Sequence, residues 1–202
     1  MTALPEILVL RHGETEWNRA GRWQGPEDSP LTERGIAQGR AMGRLLAELG
    51  VGRGSHAFRI SPQGRARATM ELVLGELGLP RDTAGIDPDL REIGVGAFGG
   101  LHRDEIARRL ALRPSDSFFE AYRRAPGGEG FAALYDRVGR ALDTLRGPTV
   151  IVTHGMTSRF LRTRAMGLGL DRIEELPGGQ GIVYQILNGV HRGLPAMEGD
   201  AI

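Results

Sequence analysis

Cysteine is absent from the 202-residue chain, and so is lysine: all 26 basic residues are arginine. Without cysteine there is no thiol nucleophile, thiolate metal site or disulfide. Without lysine there is no Schiff-base chemistry and no P-loop of the usual form. Aromatic residues make up only 5%, and no apolar run approaches the ~18 residues a membrane-spanning helix needs. The opening Met1–Glu6 has no basic stretch leading into an apolar core, so it does not read as a secretory signal. A cytoplasmic protein is expected. A net charge of +1 gives no strong pull toward nucleic acid or membrane. The all-arginine usage is most simply genomic base composition, yet it leaves the chain rich in the side chain whose planar fork best fits phosphate.

The length suits one domain with a full core. Short apolar runs alternate with longer amphipathic ones, which predicts an α/β fold with a largely parallel sheet. Glu6–Leu10 reads as a buried strand. Thr32 caps a predicted helix to about Leu49, where Gly50 stops it. Further strands are expected at Ala57–Ile60, weakly at Thr83–Ile86, at Thr149–Val152 and at Ile182–Leu187. Helices are expected at Arg65–Leu77, Arg103–Leu112, from Phe131 to Leu145 and at Met156–Met166, with a mobile tail after the last strand. No repeat, low-complexity tract or linker interrupts them.

Three of these strands end in polar residues: Arg11-His12-Gly13-Glu14, Ser61-Pro62-Gln63-Gly64-Arg65 and Thr153-His154-Gly155. Ligands of open α/β sheets bind outside the carboxyl ends of the strands. The second and third segments also open helices, whose first N–H groups are expected to hold an anion. Taken singly, His12 or His154 reads as a hydrogen-bonded core histidine, and Arg65 as one half of an ion pair. Two arginines and two histidines converging on one edge point instead to a phosphate dianion. His56, His102 and His191 lack such neighbours and read as solvated.

Arg11-His12-Gly13-Glu14-Thr15, followed by Asn18, resembles the signature of the histidine phosphatase superfamily. The resemblance continues in order through Gln24-Gly25, Asp28, Pro30-Leu31-Thr32 and Gly35, then Ser61-Pro62, Arg65-Ala66 and Thr69. Leu90-Arg91-Glu92 with Gly96, Pro126-Gly127-Gly128-Glu129 and Thr153-His154-Gly155 complete it. It implies a three-layer α/β/α sandwich with a mostly parallel central sheet, phosphoglycerate mutase-like, and the site at the strands' C-terminal edge. It also implies that His12 is the phosphorylated nucleophile, that Arg11, Arg65 and His154 complete the phosphate pocket, and that Glu92 is the proton donor. Asn18, Thr15 and Gln24 resemble lesser pocket contacts. No metal and no cofactor are implied.

Those groups suffice chemically. A neutral imidazole is nucleophilic near pH 7, and two fixed arginines, joined by His154 if protonated, stabilise charge on the transferring group. Glu92 serves as acid and then as base for water. The expected function is hydrolysis of a small phosphate monoester; phosphoglycerate mutase-type transfer and a non-catalytic phosphate- or partner-binding member are the alternatives. The compact stretch between the acid and His154 favours the phosphatase branch. Asp87-Pro88-Asp89 is similar to the paired aspartates of an aspartyl-phosphate phosphatase, but Arg91 stands where Thr or Val is expected. Residues 98–131 are expected to form a lid-like insertion. Its Phe118, Phe119 and Tyr122 are candidates to stack on substrate, and Arg108, Arg109, Arg113, Arg123 and Arg124 to bind a second acidic group. The expected partner is a small phosphorylated metabolite; a homodimer is allowed but not indicated.

Overall fold

The computed structural model describes residues 4–197; the first three residues of the Met1–Glu6 segment and the end of the tail lie outside them. In chain order the elements are β1 (Ile7–Arg11), α1 (Glu16–Arg19), α2 (Glu33–Glu48), β2 (Ala57–Ile60), α3 (Gly64–Glu76), β3 (Gly85–Ile86) and α4 (Arg103–Arg109). They continue with α5 (Phe118–Arg123), α6 (Phe131–Asp143), β4 (Thr149–Thr153), α7 (Gly155–Ala165), β5 (Ile182–Leu187) and β6 (Val190–Pro195).

The strands form one sheet in the order β3-β2-β4-β1-β5-β6. The first four run parallel, β5 lies antiparallel to β1, and β6 antiparallel to β5. Strands β1 and β4 carry unbroken apolar runs, Ile7–Leu10 and Val150–Val152, because both faces of the sheet are covered. Successive side chains point to opposite faces. Leu8, Leu10, Val150 and Val152 accordingly join Met42 and Leu46 of α2 and Met70 and Val73 of α3. On the other face Ile7, Val9 and Ile151 meet Val138 and Leu142 of α6 and Phe160 and Leu161 of α7. This is the expected three-layer α/β/α sandwich.

Local signals set the ends of α2. Thr32 caps it by accepting from Gly35 N at 3.0 Å, and Gly50, at φ +72°, follows the C-cap residue Leu49. The expectation of a mobile tail after Leu187 is corrected. The chain turns at Asn188-Gly189, with φ of 51° and 74°, and returns as β6 paired along the whole of β5. Positive φ at both central residues is what a two-residue hairpin turn requires, and Asn-Gly is the pair that supplies it. No described helix is long and apolar enough to cross a membrane.

Candidate active site

Strands β2, β4 and β1 are neighbours, so their carboxyl ends form one continuous edge. Arg11 pairs with Thr153 and Ile60 with Val152. The residues that follow, His12, His154 and Ser61, therefore emerge side by side. The ladder extends one step further on each side, with His12 N donating to Thr153 O at 2.9 Å and Ser61 N to Val152 O at 3.1 Å. The chain then passes close against α2 at Gly13, where a Cβ would stand 2.2 Å from Gly35 O. Only glycine fits there.

His12 is 2% exposed. Its Nδ1 lies 2.7 Å from Gly13 O and its Nε2 3.2 Å from Nε of Arg65. A carbonyl only accepts and a guanidinium only donates, so the network assigns the proton to Nδ1 and the lone pair to Nε2. Burial, then the charges of Arg11 and Arg65, hold the imidazole pKa well below 6.5, outweighing the opposite pull of the Gly13 carbonyl. The ring is neutral at pH 7.

Arg65, in the first turn of α3, is also 2% exposed. It is fixed on three sides: Nη1 donates to Glu27 O at 2.5 Å and to Asp28 Oδ1 at 2.7 Å, and Nη2 to Gly25 O at 2.9 Å. Arg11, at the end of β1, borders the same cavity, and its buried Nε has no partner among the described residues. His154 lies behind these groups, fully buried, its ring 5.2 Å from that of His12. Its Nε2 sits 2.6 Å from Ser61 Oγ, which itself accepts from Gln63 N at 3.3 Å. Nδ1 of His154 is buried and has no hydrogen-bond partner among the described residues. Burial, then Arg65, His12 and Arg11, hold its pKa well below 6.5. His154 is therefore neutral here rather than the protonated group considered from sequence.

The helix N-termini are not the open anion sites that the sequence suggests. Asp28 accepts from Gly64 N at 2.7 Å and Arg65 N at 3.3 Å, capping α3. Glu92 does the same for α7: Oε2 accepts from Met156 N at 3.2 Å, and Oε1 from Thr157 N at 3.1 Å and Thr157 Oγ1 at 3.0 Å. Each helix start already holds a carboxylate, so positive charge at the site comes from side chains. Glu92 is placed further by Gln63, whose Oε1 accepts from Glu92 N at 2.6 Å while its Nε2 donates to Gly25 O at 2.7 Å.

Arg11, His12, Arg65 and Glu92 border one cavity of about 360 Å³. Asn18 and Gln24 border it too, Asn18 accepting from Gln180 Nε2 at 3.1 Å and Gln24 carrying a buried, unpartnered Oε1. Thr15 does not. Its fully buried hydroxyl caps α1 by accepting from Asn18 N, and also accepts from Gln24 Nε2 at 2.8 Å, so it holds two pocket residues without reaching the pocket.

Residues Phe118, Phe119 and Tyr122 of α5 line the opposite wall. Tyr122 stacks on Trp23 with centroids 4.0 Å apart, and Phe118 meets both rings edge-on. None of the five arginines expected to take a second acidic group reaches the cavity. Arg109, Arg113 and Arg123 pair with Glu105, Asp116 and Glu120, and Arg124 donates to Leu110 O. The cavity instead receives Arg22, Arg103, Arg159 and Arg162, which the sequence did not single out. The i, i+3 spacing of Arg159 and Arg162 places them on one face of α7, a signal that was available.

Two of the histidines read as solvated are not. His191 stacks on Tyr184 at 5.5 Å, its Nε2 2.9 Å from Arg162 Nη1, because β6 carries it inward. His56 is largely buried against Glu6 at 3.4 Å. Asp87 and Asp89 are tied to Arg59 and Arg140 in a separate groove, away from His12. Among the described residues no group of three His, Cys, Asp or Glu is placed to hold a metal ion.

A 2,3-bisphosphoglycerate-dependent phosphoglycerate mutase of Beijerinckia indica is 31% identical over 196 residues, covering 89% of this chain and 91% of that protein. The alpha-ribazole phosphatase of Shigella flexneri superposes with a TM-score of 0.76 at 26% identity, over 98% of each chain. YhfR of Bacillus stearothermophilus gives 0.74 at 31% identity, again over 98% of each. The family model described as histidine phosphatase superfamily (branch 1) matches residues 7–192, and the chain, a phosphomonoesterase- or mutase-like enzyme, belongs to that superfamily.

Proposed function

We propose that the protein is a phosphatase that hydrolyses a small phosphate monoester through a phosphohistidine on His12, without a metal ion. The observation that carries this reading is the buried, neutral His12, its Nδ1 proton held by Gly13 O and its Nε2 lone pair facing Arg65 in the cavity that Glu92 also borders. Nε2 attacks phosphorus in line as the P–O bond to the leaving alcohol breaks. Arg65 Nε–H moves from Nε2 to a phosphoryl oxygen, and Arg11, whose Nε is unpartnered, takes another. Nδ1–H of His154 supplies a third donor. Preorganised donors of this kind act where charge builds in the transition state, and removing one costs about 10²–10³ in rate.

Glu92 gives its proton to the departing alkoxide and then takes one from the water that attacks phosphorus, releasing phosphate and restoring His12. The segment 98–131 acts as a lid, with the α5 rings as its inner face.

The relative named as a mutase supports a second reading, in which a phosphorylated acid rather than water accepts the phosphoryl group. Phosphate release from an aryl phosphate in excess EDTA, with His12→Ala alongside, tests the first. Turnover that survives EDTA and is lost in the variant supports the phosphohistidine route. Loss of turnover in EDTA overturns it. Interconversion of phosphoglycerates without net phosphate release supports the mutase reading instead.

A further inference from the structure

Just before β5 the chain reads Gly178-Gly179-Gln180-Gly181, and Gln180 is the one residue of the four that carries a side chain. Gly181 takes φ +67°, a left-handed conformation that suits glycine. The backbone pairing of β1 with β5 ends at Leu10 and Val183. Beyond it the Gln180 amide links the two segments. Its Nε2 donates to the His12 carbonyl at 3.2 Å and to Asn18 Oδ1 at 3.1 Å. One side chain thus holds both the backbone of the proposed nucleophile and a second residue that borders the cavity.

The oxygen and nitrogen of a side-chain amide are told apart by their partners. The His12 carbonyl can only accept, so Gln180 turns its NH2 to it. The same nitrogen meets Asn18, so the Asn18 atom there is the oxygen. Thr15 N, which donates to that atom at 3.3 Å, requires the same answer. Asn18 Oδ1 therefore takes two donors, and both protons of its Nδ2 are left for the cavity. Thr15 by itself is a weak hold. Helix α1 is a single turn of four residues, and its capping box is closed by long bonds of 3.2 and 3.3 Å. An Asn18 amide turned over would offer an anion a carbonyl oxygen instead of donors.

We propose that Gln180 is a positioning residue, which holds the Asn18 amide with its NH2 toward the transferring phosphate. Gln180 does not itself contact that group, because both protons of its Nε2 are spent on His12 and Asn18. Without them, only the bond from Thr15 N opposes a flip that would aim an oxygen at the anion. The role rests on the phosphoryl-transfer reading, since it needs an anion beside Asn18, but it can be read without turnover.

The sequence supplies a specific probe, because Asn18 and Asn188 are its only asparagines. Labelling with 15N-asparagine gives each a side-chain NH2 signal in NMR, and Asn18→Ala identifies which is which. Titration with inorganic phosphate is expected to move the Asn18 signal and to leave that of Asn188, in the β5–β6 turn, in place. Gln180→Met keeps the length of the side chain but removes the donor. In that variant the phosphate-induced shift of Asn18 should fall several-fold, with an unchanged Asn188 signal showing that the hairpin is intact. Gln185→Met, the same change at a glutamine bonded to Glu6, keeps the shift.

The kinetic counterpart is a double-mutant cycle on kcat/KM for p-nitrophenyl phosphate. Gln180→Met is expected to lose about tenfold in the otherwise wild-type enzyme and less than about twofold in Asn18→Ala, because its effect passes through Asn18. An equal loss in both backgrounds, or an Asn18 shift that survives Gln180→Met, overturns the positioning role. So does a wild-type Asn18 signal that phosphate leaves unmoved. The phosphatase reading fails separately, on absence of turnover by the wild type, and the phosphate titration then decides the role of Gln180 by itself.

Discussion

The Nε–H of Arg65 rests on Nε2 of His12 at 3.2 Å, between two side chains that are each 2% exposed. The remaining nitrogens of Arg65 are held by Glu27 O, Asp28 and Gly25 O. One guanidinium thus covers the nucleophilic lone pair and is fixed by the loop that lines the pocket. It also lowers the pKa of that nucleophile by its charge.

Replacing Arg65 separates these roles. Arg65→Lys keeps the charge but has one nitrogen where four acceptors wait, so kcat/KM for an aryl phosphate should fall about 10²–10³-fold. Arg65→Met also removes one of the two charges that depress the His12 pKa. The acid limb of its pH–kcat/KM profile, which reports free-enzyme groups, should move up toward 6.5. An acid limb that stays at the wild-type position in Arg65→Met would contradict the neutral-nucleophile assignment.

Stability should fall on the acid side of neutrality. His12 and His154 are both held well below the ordinary imidazole pKa of about 6.5 in the folded state. Below pH 6.5 the unfolded chain binds protons that the folded chain refuses. The contribution is therefore fully present above that pH and is lost as pH drops toward the folded values. Each histidine adds a slope of up to about 1.4 kcal/mol per pH unit. Urea unfolding at pH 7.5 and 5.5 measures it, and replacing His154 by Asn should remove about half the difference. Equal wild-type stability at the two pH values would show that these rings are not buried as neutral groups.

A buried ion pair holds the segment that carries Glu92. Arg137, 1% exposed, donates to both oxygens of Glu129 at 2.6 and 2.9 Å and to Asp89 O at 2.7 Å. Glu129 in turn accepts from Gly94 N at 3.1 Å. Burial pushes the Glu129 carboxyl up, but Arg137, Gly94 and Arg91 outweigh it and hold the group below its ordinary value. Glu129→Ala strands the Arg137 charge and should cost ~3–5 kcal/mol. Chemical denaturation measures this. A loss below about 1 kcal/mol would mean that the pair is not what anchors residues 89–94.

Much of this was legible because it is local. Arg11, His12, Arg65 and His154 follow directly on apolar strands or open helices, so strand ends alone gather them. The Thr32 cap and the Gly50 stop are equally local. What escaped depends on tertiary contact. Nothing near Asp28 in sequence says that it caps α3 some 36 residues later, and Glu92 caps α7 from 64 residues away. The arginines that reach the cavity could not be told from those that do not by count, since only the orientation of α7 and the pairing of α5 with its own acids decide it. The β6 hairpin is different. Asn188-Gly189 was a sufficient signal, and it was overshadowed by the short, half-polar strand that follows.

Glu92 joins the chemistry to the fold, and a single substitution reads both. The carboxylate accepts the first N–H groups of α7, where a negative charge is favoured by the helix dipole. In the proposed reaction it also protonates the leaving alkoxide. Glu92→Gln keeps one acceptor but turns an NH2 toward donors, so thermal unfolding should show a loss of ~1–2 kcal/mol. Catalytically the effect should depend on the leaving group. An alkoxide needs the proton, whereas a nitrophenolate departs without one. Hydrolysis of an alkyl phosphate should therefore fall about 10²–10⁴-fold, and that of p-nitrophenyl phosphate far less. If both fall equally, the carboxylate serves α7 rather than the departing oxygen, and the acid must be sought elsewhere in the cavity.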